Sequence, residues 1–261
     1  MKKIIYKIKY YFYKIFINIL PKNKRSVCLQ KKKYYFEKFD KIAFIMSKIN
    51  GVNNIFEIDK IKKYNIDLHV DGDNNEIIFG DNLKLDGKLI IDIHGNNNKI
   101  HIGNIVVGTQ LFILAGFPTC KTENSLVEIG DMSRFVNTEI MLLENNSKLT
   151  IGQDCMFAEQ VKIHLSDTHS ITDLSGNLIN YGGTVEIGDR VWACREVKVL
   201  KRAKISNDTV IAANSIVSSV FNESNVILAG IPAKIIKRDV KWSCTPPQIY
   251  KDNVENCKNE Y

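Results

Sequence analysis

The sequence predicts an all-β solenoid, in which short parallel strands wind around one continuous apolar core. Two observations carry this prediction: a strict six-residue period in the second half of the chain and a looser Asn-rich repeat before it. In each six-residue unit the candidate inward positions lie two apart, which is the side-chain period of a strand. Three units make one coil of about 18 residues, and stacked coils bury what a single unit leaves exposed.

The first element, residues 1–50, is expected to be a basic helical extension outside the solenoid. Thirteen Lys and one Arg against two acids give it a net charge of +12, which leaves −5 for the rest of the chain. Apolar residues fall at helical spacing among the lysines, as Ile4, Ile8, Tyr11, Ile15 and Ile19. This pattern predicts either peripheral contact with an anionic membrane or a helical cap on the open end of the solenoid, and both remain open.

Composition limits the location and the partners of the protein. Apolar runs are shorter than the roughly 18 residues of a membrane-spanning helix, and lysines interrupt the stretch that a secretory signal would need. No nucleic-acid-binding module accompanies the basic residues. The six cysteines contain no CxxC pair, so we expect reduced thiols in a cytoplasmic protein, with Cys155 and Cys194 filling the core.

The solenoid itself is expected over residues 51–240, followed by a C-terminal tail at 241–261. Residues 72–80, 95–103 and 144–152 share one pattern, in which an Asn-rich segment precedes a short apolar strand and a Gly. Asn and Gly tolerate the left-handed backbone of tight corners, and stacked Asn side chains would form ladders along the solenoid. Irregular spacing predicts two loops that leave the coil, at 104–124 and 168–184, and such loops often carry function.

The six-residue period is uninterrupted between Val185 and Val217. Its twelve predicted inward residues are all apolar or small: Val185, Ile187, Val191, Ala193, Val197, Val199, Ala203, Ile205, Thr209, Ile211, Ser215 and Val217. The residues between them are mostly polar or charged. This part of the chain therefore predicts the most regular coils.

Two stretches extend the repeat into a family resemblance. Ser166-Asp167-Thr168-His169-Ser170-Ile171, with Asn180 downstream, resembles the active-site loop of sugar and polysaccharide O-acetyltransferases, and 187–192 with 229–237 resembles the later coils of the hexapeptide-repeat acyltransferases. The resemblance is strong over about 125–238 and absent from the first 50 residues. It implies a left-handed parallel β-helix. The handedness comes from the resemblance alone, since parallel crossovers are normally right-handed and the repeat period does not show otherwise.

The resemblance also implies an activity. It predicts an O-acetyltransferase that moves acetyl from acetyl-CoA to a hydroxyl of a cell-surface polysaccharide (capsule or lipopolysaccharide) or its sugar precursor, working as a homotrimer with sites between subunits. A thiolate is a good leaving group, so we expect no metal; the reaction needs a base, oxyanion donors and placement. His169 lies where the family keeps its base, and imidazole titrates near operating pH.

The other site residues follow from the same resemblance. Asp167 or Asp173 is expected to orient His169, although either also fits a turn. Asn137 matches a substrate- and oxyanion-contacting Asn, and Glu144 matches an acid that holds the acceptor hydroxyl. The expected acetyl-CoA contacts are Trp192, Ala213, Ser218, Ser219, Lys234 and Lys237. The chain departs from the family at Asn214, Ser219 and Ala193-Cys194, so the phosphates are expected to be held differently, with Lys201 or Arg202 as candidates.

Two alternatives stay open at this point. A non-catalytic solenoid that binds glycan or scaffolds a membrane complex would show the same repeats. The spacing of His164 and His169 also occurs in zinc-dependent helices that resemble γ-class carbonic anhydrases, but a third His is missing one coil earlier, at Met141-Leu142. His164 is therefore expected on a strand that faces a neighbouring subunit.

Overall fold

A computed structural model describes residues 49–57 and 65–250, so the predicted extension at 1–50 and the end of the tail lie almost wholly outside the described residues. The described chain is almost entirely β, with one helical turn at 247–250. None of its helical segments has the length and apolar character needed to cross a membrane.

Within the described ranges 49–57 and 65–250 the strands form two sheets. The first contains fourteen: β1 (Ile49–Asn50), β3 (Ile66–Asp71), β5 (Lys84–Leu85), β6 (Lys88–Asn96), β8 (Val106–Ala115), β9 (Thr122–Glu123), β11 (Arg134–Leu142), β13 (Met156–His164), β15 (Trp192–Ala193), β16 (Lys198–Leu200), β18 (Val210–Ile211), β19 (Ile216–Val217), β21 (Ile227–Gly230) and β22 (Ala233–Lys237). The second contains eight: β2 (Ile55–Glu57), β4 (Glu76–Phe79), β7 (Lys99–Ile102), β10 (Leu126–Ile129), β12 (Lys148–Ile151), β14 (Val185–Ile187), β17 (Lys204–Ile205) and β20 (Val220–Phe221).

These strands make the three faces of a parallel β-helix. The first face holds β5, β15, β18, β21 and the beginnings of β8, β11 and β13; the second holds β1, β3, β6, β16, β19 and the ends of those long strands. The eight-stranded sheet is the third face. Neighbouring coils pair in parallel throughout, except that β22 returns antiparallel to β21.

The regular coils have the predicted length and the predicted core. Trp192 pairs with Val210 and Lys198 with Ile216, so each coil advances by 18 residues. All twelve predicted inward residues of 185–217 are buried. Below them the aromatic rings of Phe135 and Phe157 stack with centroids 4.8 Å apart and planes 1° from parallel. Both rings are essentially sealed from solvent, so they fill the middle of the core.

The Asn-rich corners also form as predicted. Asn53, Asn74, Asn97, Asn124 and Asn146 all adopt left-handed φ values between 57° and 59°. Beside them the side chains of Asn54, Asn75 and Asn98 form a ladder, in which Asn75 Nδ2 donates to Asn54 Oδ1 and Asn98 Nδ2 to Asn75 Oδ1, both at 3.1 Å. These bonds satisfy buried amides that would otherwise destabilise the corner.

The loop predicted at 104–124 is wrong for most of these residues. Residues 106–115 are the single strand β8, whose inward side chains at 107, 111, 113 and 115 are buried, so only 116–121 leave the wall. A register shift opposite Phe135–Asn137 shows the cause, because β8 carries an extra residue near Gly108. This bulge breaks the six-residue count without breaking the strand.

The cysteines divide between core and surface. Cys155 is buried as expected, and burial raises the pKa of its thiol to about 11. Cys194 does not fill the core: its side chain is half-buried just beyond the inward Ala193. Cys120 and Cys244 are exposed free thiols.

Candidate active site

Residues 166–184 leave the solenoid at the corner between its second and third faces, which we call the loop corner. Because of this segment, Leu149 and its register partner Val185 are 36 residues apart, whereas register partners in the regular coils are 18 apart. It has its own structure: Ile179 N donates to Ile171 O at 2.9 Å, and Asp173 accepts from the backbone of Ser175 and Asn177. The predicted loop at 168–184 is therefore ordered rather than an open excursion.

Glu144 holds both ends of this loop from the coil below. Its Oε1 accepts from Ser166 Oγ at 2.6 Å, and its Oε2 accepts from Gly182 N at 2.6 Å. Ser166 Oγ in turn accepts from Thr168 N at 3.0 Å. Each carboxylate oxygen thus has a loop donor, so Glu144 fixes the shape of the loop. Its contact with an acceptor hydroxyl stays a prediction.

Lys201 holds the loop from the coil above. Its Nζ donates to Asp167 Oδ2 and, at 2.7 Å, to Asn180 O, while Arg202 donates to Tyr181 O at 3.1 Å. Lys201 and Asn180 lower the pKa of Asp167 below its usual value, because both donate to its charged form. Both candidate phosphate anchors are therefore engaged by the loop.

The loop held in this way carries the exposed residue His169. Its N–H donates to Asp167 O at 2.7 Å, and its carbonyl accepts from Asn180 Nδ2 at 2.8 Å, so its backbone is tied on both sides. The preceding Thr168 adopts a left-handed φ of 70°. Among the described residues the imidazole has no hydrogen-bond partner, and His169 is exposed. An imidazole without a partner is free to take a proton from an incoming hydroxyl.

The expected acid partner of His169 is absent from this geometry. The carboxylate of Asp167 points to Lys201 and Asn180, not to the imidazole. Asp173 shapes the turn at 173–177, and hydrogen bonds from Asn177 and neighbouring backbone lower its pKa. The alternative interpretation as a turn-forming residue therefore describes Asp173, whereas the carboxylate of Asp167 anchors the loop to Lys201 and Asn180.

A second group of predicted residues lies around the first face. Asn137 sits at a β-bulge where β11 turns from the first face to the second, which we call the bulge corner, and its side chain has no hydrogen-bond partner among the described residues. Ala213 lies at the same corner, after β18, and is exposed. Trp192 is on β15, and Lys234 and Lys237 are exposed on the returning strand β22.

The structure does not bring the two groups together within one chain. Ser218 and Ser219 lie at the loop corner one coil after Lys201, on the same side as His169. Asn137 is separated from that corner by residues 138–142 of β11, which span about 16 Å at strand rise. The predicted residues thus occupy the two edges of the second face.

Trp242 is a site neighbour that the sequence pattern did not reveal. Its ring lies against that of Trp192 with centroids 5.9 Å apart, and its Nε1 donates to Arg190 O at 2.6 Å. The C-terminal tail is therefore attached to the first face. Asn180, which ties Asp167 to the His169 backbone, was part of the family motif but had no predicted role.

His164 takes the place expected for it on an outward strand position. It is the register partner of Met141 one coil earlier, and its Nε2 lies 2.7 Å from Glu139 Oε1. The third imidazole of a carbonic-anhydrase-like site is therefore replaced by a thioether at the register position.

Comparison with known proteins places this geometry in context. No family model matches the chain. The polysialic acid O-acetyltransferase of Neisseria meningitidis is 33% identical over 195 residues, which are 74% of this chain and 86% of that protein. The putative lipopolysaccharide biosynthesis O-acetyl transferase WbbJ of Escherichia coli K12 is 40% identical over 99 residues, covering 34% of this chain and 50% of that protein.

A solved structure extends the likeness to the fold. The crystal structure of the polySia specific acetyltransferase NeuO superposes with a TM-score of 0.65 at 27% identity, over 82% of this chain and 88% of that one. The parallel β-helix described above is therefore left-handed, as the resemblance implied.

Proposed function

Since the chain belongs to the hexapeptide-repeat acyltransferases, as a relative of the polysialic acid O-acetyltransferases, we propose that it O-acetylates a cell-surface polysaccharide, of capsule or lipopolysaccharide type, or its sugar precursor. The proposed acetyl donor is acetyl-CoA, and His169 is the proposed general base. The observation that carries the proposal is the His169 loop, which is anchored from two coils and presents an imidazole that has no partner in the described part of the chain.

The proposed reaction is a direct transfer. One ring nitrogen of His169 takes the proton of the acceptor hydroxyl while its oxygen attacks the thioester carbonyl. Asn137 donates to the oxygen that gains charge, the C–S bond breaks, and the imidazolium returns the proton to the leaving thiolate. The protein supplies placement and charge stabilisation, and needs no covalent intermediate of its own.

We propose that each site is shared between two copies of the chain in a homotrimer. His169 and Asn137 occupy different corners of one protomer, so a neighbour has to supply the second edge. The loop also carries large apolar side chains that are mostly exposed: Ile171, Leu174, Ile179 and Tyr181, with Leu174 at its tip fully so. A neighbouring solenoid would cover them. Trp192, Ala213, Lys234 and Lys237 would then face acetyl-CoA from the neighbour's first face, and Ser218 and Ser219 from the loop corner.

Mixing two inactive variants tests this sharing. Asn137→Ala is expected to lower kcat by about 10²- to 10³-fold through loss of an oxyanion donor. Reassembled at equal amounts with His169→Ala, a trimer with shared sites recovers about a quarter of wild-type activity, because that share of sites draws both intact residues from different chains. If the site lies within one chain, the mixture stays inactive.

The ion pair above the loop gives a second prediction. Lys201→Met removes the main donor to Asp167, so the pKa of Asp167 rises toward its ordinary value. In the wild type the ion pair contributes stability above the unfolded pKa of Asp167, and this is lost as pH falls through the lower folded pKa. In the variant only the bond from Asn180 remains, so Asp167 takes up its proton at higher pH. NMR titration of the Asp167 carboxyl carbon measures the shift.

The same variant should reduce turnover by about 10- to 100-fold, because the loop that positions His169 loses two of its hydrogen bonds. Lys201→Arg, which keeps a donor, should restore much of the rate. Equal rates for both variants and the wild type would show that the tie does not position the base.

The role of residues 1–50 in membrane contact or capping stays a prediction.

A further inference from the structure

Three potential metal-ligating side chains meet on the second face, far from the His169 loop. His69 of β3 and Asp92 of β6 are register partners, and His94 follows two residues along β6. Asp92 Oδ1 lies 2.6 Å from His69 Nδ1 and 3.0 Å from His94 Nε2. Among the described residues, this cluster brings three ligating atoms within 4.8 Å of one another.

His94 supplies an independent sign that the cluster is incomplete. Its side chain is only 6% exposed, and its Nδ1 is buried without a hydrogen-bond partner. Asp71 Oδ2 lies 4.0 Å from this nitrogen, and Lys121 Nζ pairs with the same oxygen at 3.0 Å. A buried imidazole nitrogen without a partner is costly, and such groups often mark an absent ion.

We propose that His69, Asp92 and His94 bind a divalent transition-metal ion of the zinc type. Two imidazoles and one carboxylate are a donor set that Zn²⁺ takes, with bonds of about 2.0–2.2 Å. Such bonds place tetrahedral ligand atoms about 3.3 Å apart. Asp92 Oδ1 therefore needs to move away from each imidazole nitrogen by less than about 1 Å, and the two nitrogens already lie within 4.8 Å of each other. The partly exposed His69 and Asp92 leave the fourth position open to water.

The metal also explains the unpartnered nitrogen. When the ring proton is on Nε2 and faces Asp92, Nδ1 presents a lone pair toward the Asp71 carboxylate, which is unfavourable. With Nε2 bound to a metal, the ring proton moves to Nδ1 and faces Asp71. A carboxylate that accepts from the second nitrogen of a ligating histidine is the usual support of a metal site.

The site would act on the fold rather than on acetyl transfer. It joins β3 to β6, which belong to neighbouring coils. The His169 loop follows β13, which is three strands beyond β6 in the sheet, so β6 and β13 are about 14 Å apart at the usual strand spacing. A metal that binds the folded chain stabilises it by mass action. The proposal is therefore independent of the proposed function.

Zinc titration of the full-length protein after chelator treatment tests the site, with calorimetry as the readout and thermal unfolding as a second measurement. We expect one equivalent of Zn²⁺ to bind and to raise the Tm by about 5 °C when the metal is at a hundredfold excess over Kd. Bound Co²⁺ should show the ligand-field absorption of a nitrogen- and oxygen-ligated ion.

Two variants of the partly exposed ligands, His69→Ala and Asp92→Asn, should weaken binding by at least about tenfold. The matched control is His101→Ala, because His101 is similarly exposed and similarly paired, 2.6 Å from Glu76, but lies on the third face. An absence of binding in the wild type, or binding that His69→Ala leaves unchanged, would overturn the proposal. The cluster would then be held by protons shared between the histidines and Asp92.

Discussion

His169→Ala is expected to lower kcat for acetyl transfer by about 10²- to 10⁴-fold, the usual contribution of a positioned general base. The side chain is exposed and makes no hydrogen bond among the described residues, so the solenoid should keep its stability. The loop should keep its shape as well, because the ties to position 169 run through its backbone N–H and C=O. Release of the coenzyme A thiol measures the rate.

The control for this variant is His101→Ala, which removes a histidine from the third face and should leave kcat unchanged. The circular dichroism spectrum and unfolding midpoint of both variants should match the wild type. If His169→Ala retains most of the activity, another group is the base. Loss of activity together with loss of the folded state would point to a structural role instead.

Phe157→Ala is expected to produce the largest loss of stability from a single core substitution. Its ring is fully buried and stacks on the ring of Phe135, which is its register partner in the coil below. Removing a buried aromatic ring from a close-packed interior costs about 3–5 kcal/mol in the free energy of unfolding, because the cavity collapses only in part. The stacked solenoid gives neighbouring coils little freedom to close the gap.

Urea unfolding of the purified variant, compared with the wild type, measures this change. The matched control is Val220→Ala, a truncation at a position that is 55% exposed, where the free energy should change by less than about 0.5 kcal/mol. A Phe157→Ala midpoint equal to that of the control would mean that the core is less tightly packed than the ring geometry indicates.

The repeat period predicted the solenoid because burial follows the side-chain period directly. Each of the twelve inward positions from Val185 to Val217 is buried, and the Asn corners adopt the left-handed backbone. The same reasoning failed at 104–124, where one additional residue at a bulge changes the count but not the strand. From the local sequence such an insertion is interpreted as a loop, because the strand pairing that accommodates the extra residue involves another coil.

The candidate site was predictable in its position but not in its contacts. The break in the period located the His169 loop. The partners of that loop were hidden, because Glu144 lies 38 residues before Gly182, and Lys201 lies 34 residues after Asp167. Stacking of coils brings these residues together, so contacts of this kind follow from the coil register and not from local sequence. Trp242 was hidden for the same reason.

The central claim is tested most directly by following both products of one reaction. Full-length protein is incubated with acetyl-CoA and a panel of bacterial surface polysaccharides, beginning with polysialic acid, and the glycans are analysed by mass spectrometry. The account predicts acceptor-dependent release of coenzyme A matched by O-acetyl esters on one glycan of the panel. A glycan that binds the protein while acetyl-CoA stays intact would contradict it, and would show a solenoid that binds polysaccharide without modifying it.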